Sequence, residues 1–184
     1  NHDALEHLEQ IEAAIRQATE IFDFARTYEN LGVEQLNYVN AAKMVNEAIS
    51  LFSDLKDVRI VNDFAGLTVL ADSLLRQVFY NLIDNSLKYG QKVKHIKAYC
   101  RMAGTDTLEL IYEDDGVGIP NEIRKNLFKE GAGKGTGYGL FMIKRICDVY
   151  GWTIQETGKR GNGVKFIITM PSKNKNGRLL YKLP

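Results

Sequence analysis

The chain has 184 residues, a length that suits one domain with a full hydrophobic core and an appended element. Hydrophobic residues make up 45% and charged residues 26%, and the formal net charge is +1. This balance gives no general attraction to nucleic acid, so no nucleic-acid partner is expected. No apolar run is long enough to cross a bilayer. We therefore expect a cytoplasmic protein, with any membrane attachment upstream of Asn1, and a function that resides in a local site.

Residues 4–29 predict a long helix that ends before Gly32. Its apolar residues recur at spacings of three and four and form one narrow seam: Leu8, Ile11, Ile15, Ala18, Phe22 and Ala25. Such a seam is typical of a coiled coil or a helical bundle, so it implies a partner helix. The alternative is that the helix folds back on the domain that follows it.

The rest of the sequence mixes helices and strands without a regular βαβ order. Helices are predicted at 41–52, at 73–89 after a cap at Asp72 or Ser73, at 122–127 and at 138–150. Strands are predicted at 36–39, 58–64, 67–71, 93–102, 107–112, 152–156 and 164–170. Ala65 and Gly66 are interpreted as the turn of a hairpin, and the polar tail from Pro171 as partly flexible. This mixture favours an α+β fold, a two-layer α/β sandwich preceded by one long helix.

The first segment that indicates chemistry lies in the helix at 73–89. Asn81, Asn85 and Lys88 are spaced four and three apart and so share one helical face. Amide oxygens suit Mg²⁺, and the ammonium group of Lys88 can neutralise a phosphate beside that metal. The alternative is a solvated polar face.

The second segment, residues 113–120, follows a predicted strand and contains Asp114, Gly116 and Gly118. Alternate glycines let the backbone approach a planar ligand. A carboxylate accepts hydrogen bonds only, so it matches the exocyclic amine of adenine and repels the carbonyl that guanine has there. The alternative is an ordinary Asp-Gly turn.

The third segment, residues 131–140, is rich in glycine and leads directly into the helix at 138–150. Free N–H groups and the positive dipole end of such a helix can hold phosphate. It is not a Walker loop, because Gly135 follows Lys134 where Ser or Thr is required. It is not a dinucleotide fingerprint either, because no apolar strand precedes it. The alternative is a flexible surface loop.

In this order, within about sixty residues, the three segments resemble the histidine-kinase-like ATPase family, the fold shared by sensor kinases, gyrase, Hsp90 and MutL. The resemblance covers roughly residues 33–171. Residues 81–88 resemble the family's N-box, 114–118 its first glycine box and 135–140 its second. It implies a Bergerat-type sandwich with a mixed sheet and helices on one face. It also implies a short lid at 120–134, with Phe128 at the position of the lid phenylalanine.

The resemblance implies ATP and Mg²⁺ as ligands and a role for each matching residue. Asp114 would bond the adenine amine, Asn85 would ligate Mg²⁺ with help from Asn81, and Lys88 would contact phosphate. Tyr89 would lie near the base or ribose, and Lys134 near the γ-phosphate. Asn81 and Lys88 are the expected catalytic residues. The expected ATP-binding residues are Asn81, Asn85, Lys88, Tyr89, Asp114, Gly116, Gly118, Ile119, Lys134, Gly135, Thr136, Gly137, Tyr138, Gly139 and Leu140.

Asn81 indicates the branch of the family. Relatives that hydrolyse ATP, or phosphorylate protein hydroxyls, carry Glu at this position as a general base. An amide cannot accept a proton at neutral pH, whereas an imidazole attacks through a lone pair and needs no base. Asn81 therefore favours phosphoryl transfer to histidine and slow hydrolysis. The lid and residues 154–158 look most like archaeal-type sensor kinases.

The same resemblance predicts the domain organisation. Residues 1–32 would be the second helix of a dimerisation hairpin whose first helix, with the phosphoacceptor histidine, is absent. Residues 33–171 would be the catalytic domain and 172–184 a tail. Expected partners are ATP or ADP, that hairpin, a response regulator and, in the full-length kinase, a second copy.

His2, His7 and His95 lack the context of an acceptor, so this piece is expected to bind ATP without autophosphorylation. One alternative is a conformational ATPase like gyrase or Hsp90, against which the missing Glu at position 81 argues. The other is a non-catalytic nucleotide-binding scaffold.

Overall fold

A computed structural model describes residues 2–55, 57–132 and 135–183. In these ranges the helices are α1 (His2–Glu29), α2 (Ala41–Ser50), α3 (Leu74–Tyr89), α4 (Asn121–Arg124) and α5 (Tyr138–Tyr150). The strands are β1 (Asn37–Asn40), β2 (Arg59–Asp63), β3 (Thr68–Ala71), β4 (His95–Met102), β5 (Thr107–Asp114), β6 (Thr153–Glu156), β7 (Lys165–Pro171) and β8 (Tyr181–Lys182). The predicted α+β class and the long leading helix are confirmed.

The main sheet has five strands in the order β2-β4-β5-β7-β6, and β2 pairs with β4 in parallel while the other pairs are antiparallel. Side chains alternate between the two faces of β5, and Leu108, Leu110 and Tyr112 point into the core. Asp114 continues this inward-facing row as the last residue of the strand. A carboxylate is thus placed at the margin of the hydrophobic core.

A smaller antiparallel sheet has the order β1-β3-β8. The predicted turn at Ala65 and Gly66 exists, because Leu67 N donates to Phe64 O at 3.0 Å. The hairpin prediction was wrong, because β2 joins the main sheet while β3 joins the small one. Phe64 and Leu67 on either side of the turn are both buried, whereas Ala65 and Gly66 are exposed, so the chain passes from one sheet to the other through a surface turn.

The C-terminal residues belong to the small sheet, where Tyr181 pairs with Val69 and Lys182 with Thr68. Leu180 is 2% exposed and Tyr181 is 9% exposed. The expectation of a partly flexible polar tail overlooked this short strand, because two buried residues among many polar ones give no periodic signal.

Helices α3 and α5 pack against each other and bury apolar faces in one core. The buried face of α3, on the side away from Asn81, Asn85 and Lys88, contains Leu75, Val78, Phe79, Leu82 and Ile83. The buried face of α5 contains Met142, Ile143, Ile146, Cys147 and Tyr150, while Leu140 is only partly buried. This packing places the polar face of α3 beside the N-terminus of α5.

Helix α1 leaves its apolar seam in solvent, and Leu8, Ile15 and Phe22 are 56%, 60% and 75% exposed. Among the described residues, the contacts with the domain come from the C-terminal half of α1, through another face that contains Glu20 and Phe24. The fold-back alternative thus holds for half of the helix and not for the seam. No helix within the described ranges has both the length and the apolar character needed to cross a membrane.

Candidate nucleotide site

A cavity of about 620 Å³ lies between α3, the turn after β5, the start of α5 and the end of α1. This volume is in the range of small-molecule and cofactor sites. Most residues expected from the sequence line it: Asn81, Asn85, Lys88, Tyr89, Asp114, Gly118, Ile119, Thr136, Gly137, Tyr138, Gly139 and Leu140. Gly116 and Gly135 are not in its lining, and Lys134 lies outside the described residues.

Asp114 is 7% exposed and is held by three donors. Its Oδ1 accepts from the backbone N–H groups of Gly116, at 3.0 Å, and Val164, at 3.1 Å. Its Oδ2 accepts from Ser86 Oγ at 2.5 Å. An ionised carboxylate offers roughly four acceptor positions. One position on Oδ2 is therefore left for a donor in the cavity, and the exocyclic amine of adenine is such a donor.

Ser86 and Tyr112 support this carboxylate and were not among the expected site residues. The hydroxyl of Tyr112 lies 2.8 Å from Ser86 Oγ and 3.1 Å from Leu82 O. Burial raises the pKa of Tyr112 well above its usual value, so the hydroxyl keeps its proton. The signal was present in the sequence, because Tyr112 shares the inward face of β5 with Asp114 and Ser86 adjoins Asn85.

The turn after β5 separates the roles of the two adjacent aspartates. Asp115 Oδ1 accepts from the backbone N–H groups of Lys94 and His95, and its Oδ2 lies 2.8 Å from His95 Nδ1. Gly118 has φ +70, and a Cβ there would lie 2.8 Å from the carbonyl oxygen of Gly163. A side chain at position 118 would therefore push apart the two loops that surround Asp114.

The predicted polar face of α3 lies in the cavity wall beside the second glycine segment. Asn81 Oδ1 accepts from Gln77 Nε2 at 3.0 Å, and Asn81 Nδ2 donates to Gly139 O at 3.4 Å. Asn85 Nδ2 is buried and has no hydrogen-bond partner among the described residues. A buried amide group with unmet hydrogen-bonding capacity is costly unless a ligand completes it. A phosphate oxygen would complete the amide nitrogen, and the amide oxygen is a ligand that Mg²⁺ accepts.

Lys88 is paired with two carboxylates, Asp84 at 2.8 Å and Glu20 at 2.9 Å. Partial burial opposes its charge, but the hydrogen bonds to Asp84 and Glu20 outweigh burial and raise the pKa of Lys88 above its usual value. Lys88 is therefore a permanent cation at this end of the cavity.

The second glycine segment delivers the start of α5 to the cavity. Gly137 has φ +70 and is the N-cap, and a Cβ there would lie 2.4 Å from the carbonyl carbon of Gly131. No side chain of the described residues caps α5, and the first N–H groups of a helix without such a cap can bind an anion. Tyr138, Gly139 and Leu140 line the cavity at this point.

Helix α1 supplies part of the cavity wall, which was not expected. The lining residues from α1 are Glu20, Asp23, Phe24 and Thr27. The ring of Phe24 stacks on Tyr138 at a centroid distance of 4.2 Å. These positions follow the i, i+3, i+4, i+7 spacing of one helix face, but only one of them is strongly apolar, so the sequence gives little sign of a second contact face.

The base of the lid is anchored by an ion pair. Arg124 Nε lies 2.9 Å from Glu156 Oε2, whose side chain is 2% exposed. Arg124 Nη2 also donates to the carbonyl oxygens of Ile119 and Gly158. Further along the lid, Phe128 packs edge-on against Phe166, which lines the cavity.

Residues 71–174, more than half of the chain, match the family described as histidine kinase-, DNA gyrase B- and HSP90-like ATPases. Among curated proteins, the chain is 34% identical over 108 residues to the sensor histidine kinase AruS of Pseudomonas aeruginosa, covering 52% of this chain and 11% of AruS. It is 28% identical over 171 residues to the sensor histidine kinase YkoH of Bacillus subtilis, covering 86% and 37% of the two chains. It is 27% identical to the adaptive-response sensory kinase SasA of Prochlorococcus marinus, covering 96% and 49%. The chain spans less than half the length of each of these relatives.

Solved structures give the same result for the fold. Full-length ShkA in complex with AMPPNP superposes with a TM-score of 0.71 at 20% identity, covering 93% of this chain and 37% of ShkA. The histidine kinase AdeS of Acinetobacter baumannii gives 0.68 at 25% identity, covering 87% and 81%. The catalytic domain of the histidine kinase ThkA gives 0.63 at 25% identity, covering 75% and 98%.

A two-layer sandwich with an aspartate at a strand end, an amide-bearing helix and an open glycine-capped helix defines a nucleotide-binding domain. The chain belongs to the family of histidine kinase-, DNA gyrase B- and HSP90-like ATPases, and the curated relatives described above are sensor kinases. The archaeal affiliation suggested by the lid stays a prediction.

Proposed function

We propose that this chain binds ATP with Mg²⁺ and is the catalytic domain of a sensor histidine kinase in a two-component system. Its acceptor would be a histidine on a separate helix of the full-length protein, and the phosphoryl group would pass from there to a response regulator. The observation that carries the nucleotide assignment is Asp114, which has one acceptor position left toward the cavity after three donors are counted.

Different residues of the cavity are assigned to different parts of the nucleotide. Asp114 accepts from the adenine amine, while Asn85, with Asn81, would hold Mg²⁺. Lys88 and the N–H groups at the start of α5 offset the charge of the phosphates. The metal would supply positive charge that offsets the charge of the phosphates. Helix α1 borders the same end of the cavity.

In the transfer step, an imidazole nitrogen of the acceptor attacks the γ-phosphorus. The bond between the γ-phosphorus and the oxygen that bridges the β- and γ-phosphates breaks, and ADP leaves. The imidazole proton then passes to solvent. Asn81 supports this branch, because its amide takes no proton and its Oδ1 already accepts from Gln77. Water is a poorer nucleophile without a base, so slow hydrolysis is expected. The relatives named above favour this function over a gyrase-like or Hsp90-like conformational ATPase.

Nucleotide binding is tested by calorimetric titration of ATP–Mg²⁺ into the wild-type chain and Asp114→Asn, with GTP–Mg²⁺ as the second ligand. We expect ATP but not GTP to bind the wild type and the variant to lose ATP. Asp115→Asn is the matched control, because Asp115 bonds to the β4 side of the turn, and it should keep the affinity for ATP. Equal binding of ATP and GTP by the wild type would contradict the assignment of Asp114.

The transfer step is tested by adding a helical hairpin that carries the acceptor histidine of a sensor kinase, with radiolabelled ATP. Acid-labile phosphate on the hairpin is the expected result, and none is expected on this chain alone. A chain that binds ATP but never phosphorylates a supplied hairpin would instead be a nucleotide-binding scaffold.

A further inference from the structure

The carboxylate of Glu20, on α1, occupies the phosphate end of the cavity. Its Oε1 lies 2.9 Å from Lys88 Nζ, and its Oε2 accepts from Thr136 Oγ1 at 3.1 Å. Lys88 is assigned to the phosphates under the proposed function, and Thr136 lines the same cavity in the glycine-rich segment that leads into α5. An anion bridging these two groups therefore stands where an oxygen of the nucleotide would stand.

The contact is part of a wider docking patch. One turn beyond Glu20, Phe24 stacks on Tyr138 at 4.2 Å and also meets Phe141 at 6.1 Å. Phe22, on the opposite side of the helix, is 75% exposed. The docked face and the apolar seam are therefore distinct, so α1 could pair through its seam while Glu20 stays on the catalytic domain.

We propose that Glu20 is an internal competitor of the nucleotide, a side chain that holds Lys88 and Thr136 in place of phosphate while α1 is docked. Binding of the ATP phosphates then requires Glu20 to leave, so the position of α1 sets the affinity of the site for ATP. This inference rests on the proposed function, because it assigns the same cavity to ATP.

The charges around Glu20 support competition rather than coexistence. The hydrogen bond from Lys88 lowers the pKa of Glu20, so its carboxylate is ionised at neutral pH. Asp23 and Asp84 line the same cavity, and Asp84 also pairs with Lys88 at 2.8 Å. A phosphate arriving beside these three carboxylates would face like charges, and release of Glu20 both removes one of them and frees a donor on Lys88.

The experiment is a calorimetric comparison of ATP–Mg²⁺ and adenosine binding to the full chain, in the wild type and in Glu20→Gln. The substitution keeps the size of the side chain and its helix propensity but removes the charge. We expect ATP to bind about three- to fivefold more tightly to the variant, because a partly exposed ion pair contributes a free energy that corresponds to such a change in affinity. Adenosine should bind equally to both, because it has no phosphate. Glu12→Gln, on the exposed part of α1, is the matched control and should behave as the wild type.

The outcomes separate this inference from the proposed function. If the wild type binds ATP and Glu20→Gln binds it equally or more weakly, the inference is overturned while the function stands. A gain that is equal for adenosine and ATP also overturns it, because Glu20 would then obstruct the cavity without mimicking phosphate. If no variant binds ATP, the proposed function fails and this inference fails with it.

Discussion

At the scale of single residues, two neighbouring aspartates show how position decides chemistry. Asp114 ends the inward-facing row of β5 and is 7% exposed, whereas the next residue points to the other side of the strand and bonds to the start of β4. Both are carboxylates in the same turn, yet only Asp114 lines the cavity. The alternation of a strand separates a ligand-reading residue from a loop-fixing one.

We predict that Ser86→Ala weakens ATP binding about tenfold, the usual value of one hydrogen bond to a charged group. Ser86 donates to Asp114 at 2.5 Å, so its loss lets the carboxylate rotate away from the adenine amine. Titration with ATP–Mg²⁺ measures the effect, and Ser50→Ala at the exposed end of α2 is the control. Unchanged affinity in Ser86→Ala would show that the backbone donors alone hold Asp114.

Asp115 gives a prediction for acid conditions. Slight burial opposes its charge, but the hydrogen bonds from the His95 and Lys94 backbone and the His95 ring outweigh it, and the pKa of Asp115 falls to about 2 from its usual 3.8. Its contribution to stability is therefore complete above pH 3.8 and is lost as the pH falls towards 2. Asp115→Asn should flatten the pH dependence of the free energy of unfolding in this window, measured by urea titration at several pH values. A variant that keeps the full wild-type slope would contradict this.

At the scale of elements, the cavity is formed where separate segments are held at their ends. The predicted lid begins at α4, whose Arg124 reaches across to β6 and to the loop after it. The small sheet closes on its far edge with β8. Both contacts join parts of the chain that are distant in sequence, so each has a measurable cost when it is removed.

We predict that Arg124→Met lowers the free energy of unfolding by about 3 kcal/mol, because it leaves a buried carboxylate without its cation. Glu156 is that carboxylate, with a side chain only 2% exposed. The control is Arg101→Met, which breaks an ion pair to Glu109 whose arginine is 55% exposed. That loss should be much smaller, because solvent screens an exposed ion pair. Equal losses for the two variants in denaturant titrations would mean that the lid anchor carries no special weight.

Adjacent leucines near the C-terminus test the role of β8. Leu180 is 2% exposed and Leu179 is 42% exposed. Leu180→Ala should lower the free energy of unfolding by about 2–3 kcal/mol through the cavity it leaves, and Leu179→Ala by less than about 1 kcal/mol. Guanidinium denaturation of both variants makes the comparison. Similar small losses would show that the tail is dispensable.

At the scale of the whole molecule, local sequence patterns predicted the individual helices and strands better than they predicted which strands pair. Helix α5 was predicted at its observed bounds, and the order of the three motifs led to the ATPase sandwich. The Ala65-Gly66 turn was also found, but a turn does not specify which strands pair. Phe64 and Leu67 on either side of it are buried, and β2 and β3 belong to different sheets. Pairing over long separations depends on packing that no short window contains.

The same limit applies to the site. Asn85, Lys88 and Asp114 could be predicted because spacing and residue type identify them within one segment. Glu20 and Phe24 could not, because their partners on the domain are 68 or more residues away, in α3, in α5 and in the loop before α5. The apolar seam predicted a contact on the opposite face of α1.

The charges that line the cavity have one more consequence. Among the described lining residues, four carboxylates (Glu20, Asp23, Asp84 and Asp114) face two cations, Lys88 and Arg160. This acidic excess selects the ionic form in which a ligand enters, since bare ATP carries several negative charges and its chelate with a divalent ion carries fewer. Removal of Mg²⁺ with a chelator should therefore weaken the binding of ATP strongly and leave the binding of adenosine unchanged, as the same titrations would show. The cavity wall would thus select ligands by their net charge, independently of the contacts that recognise the base.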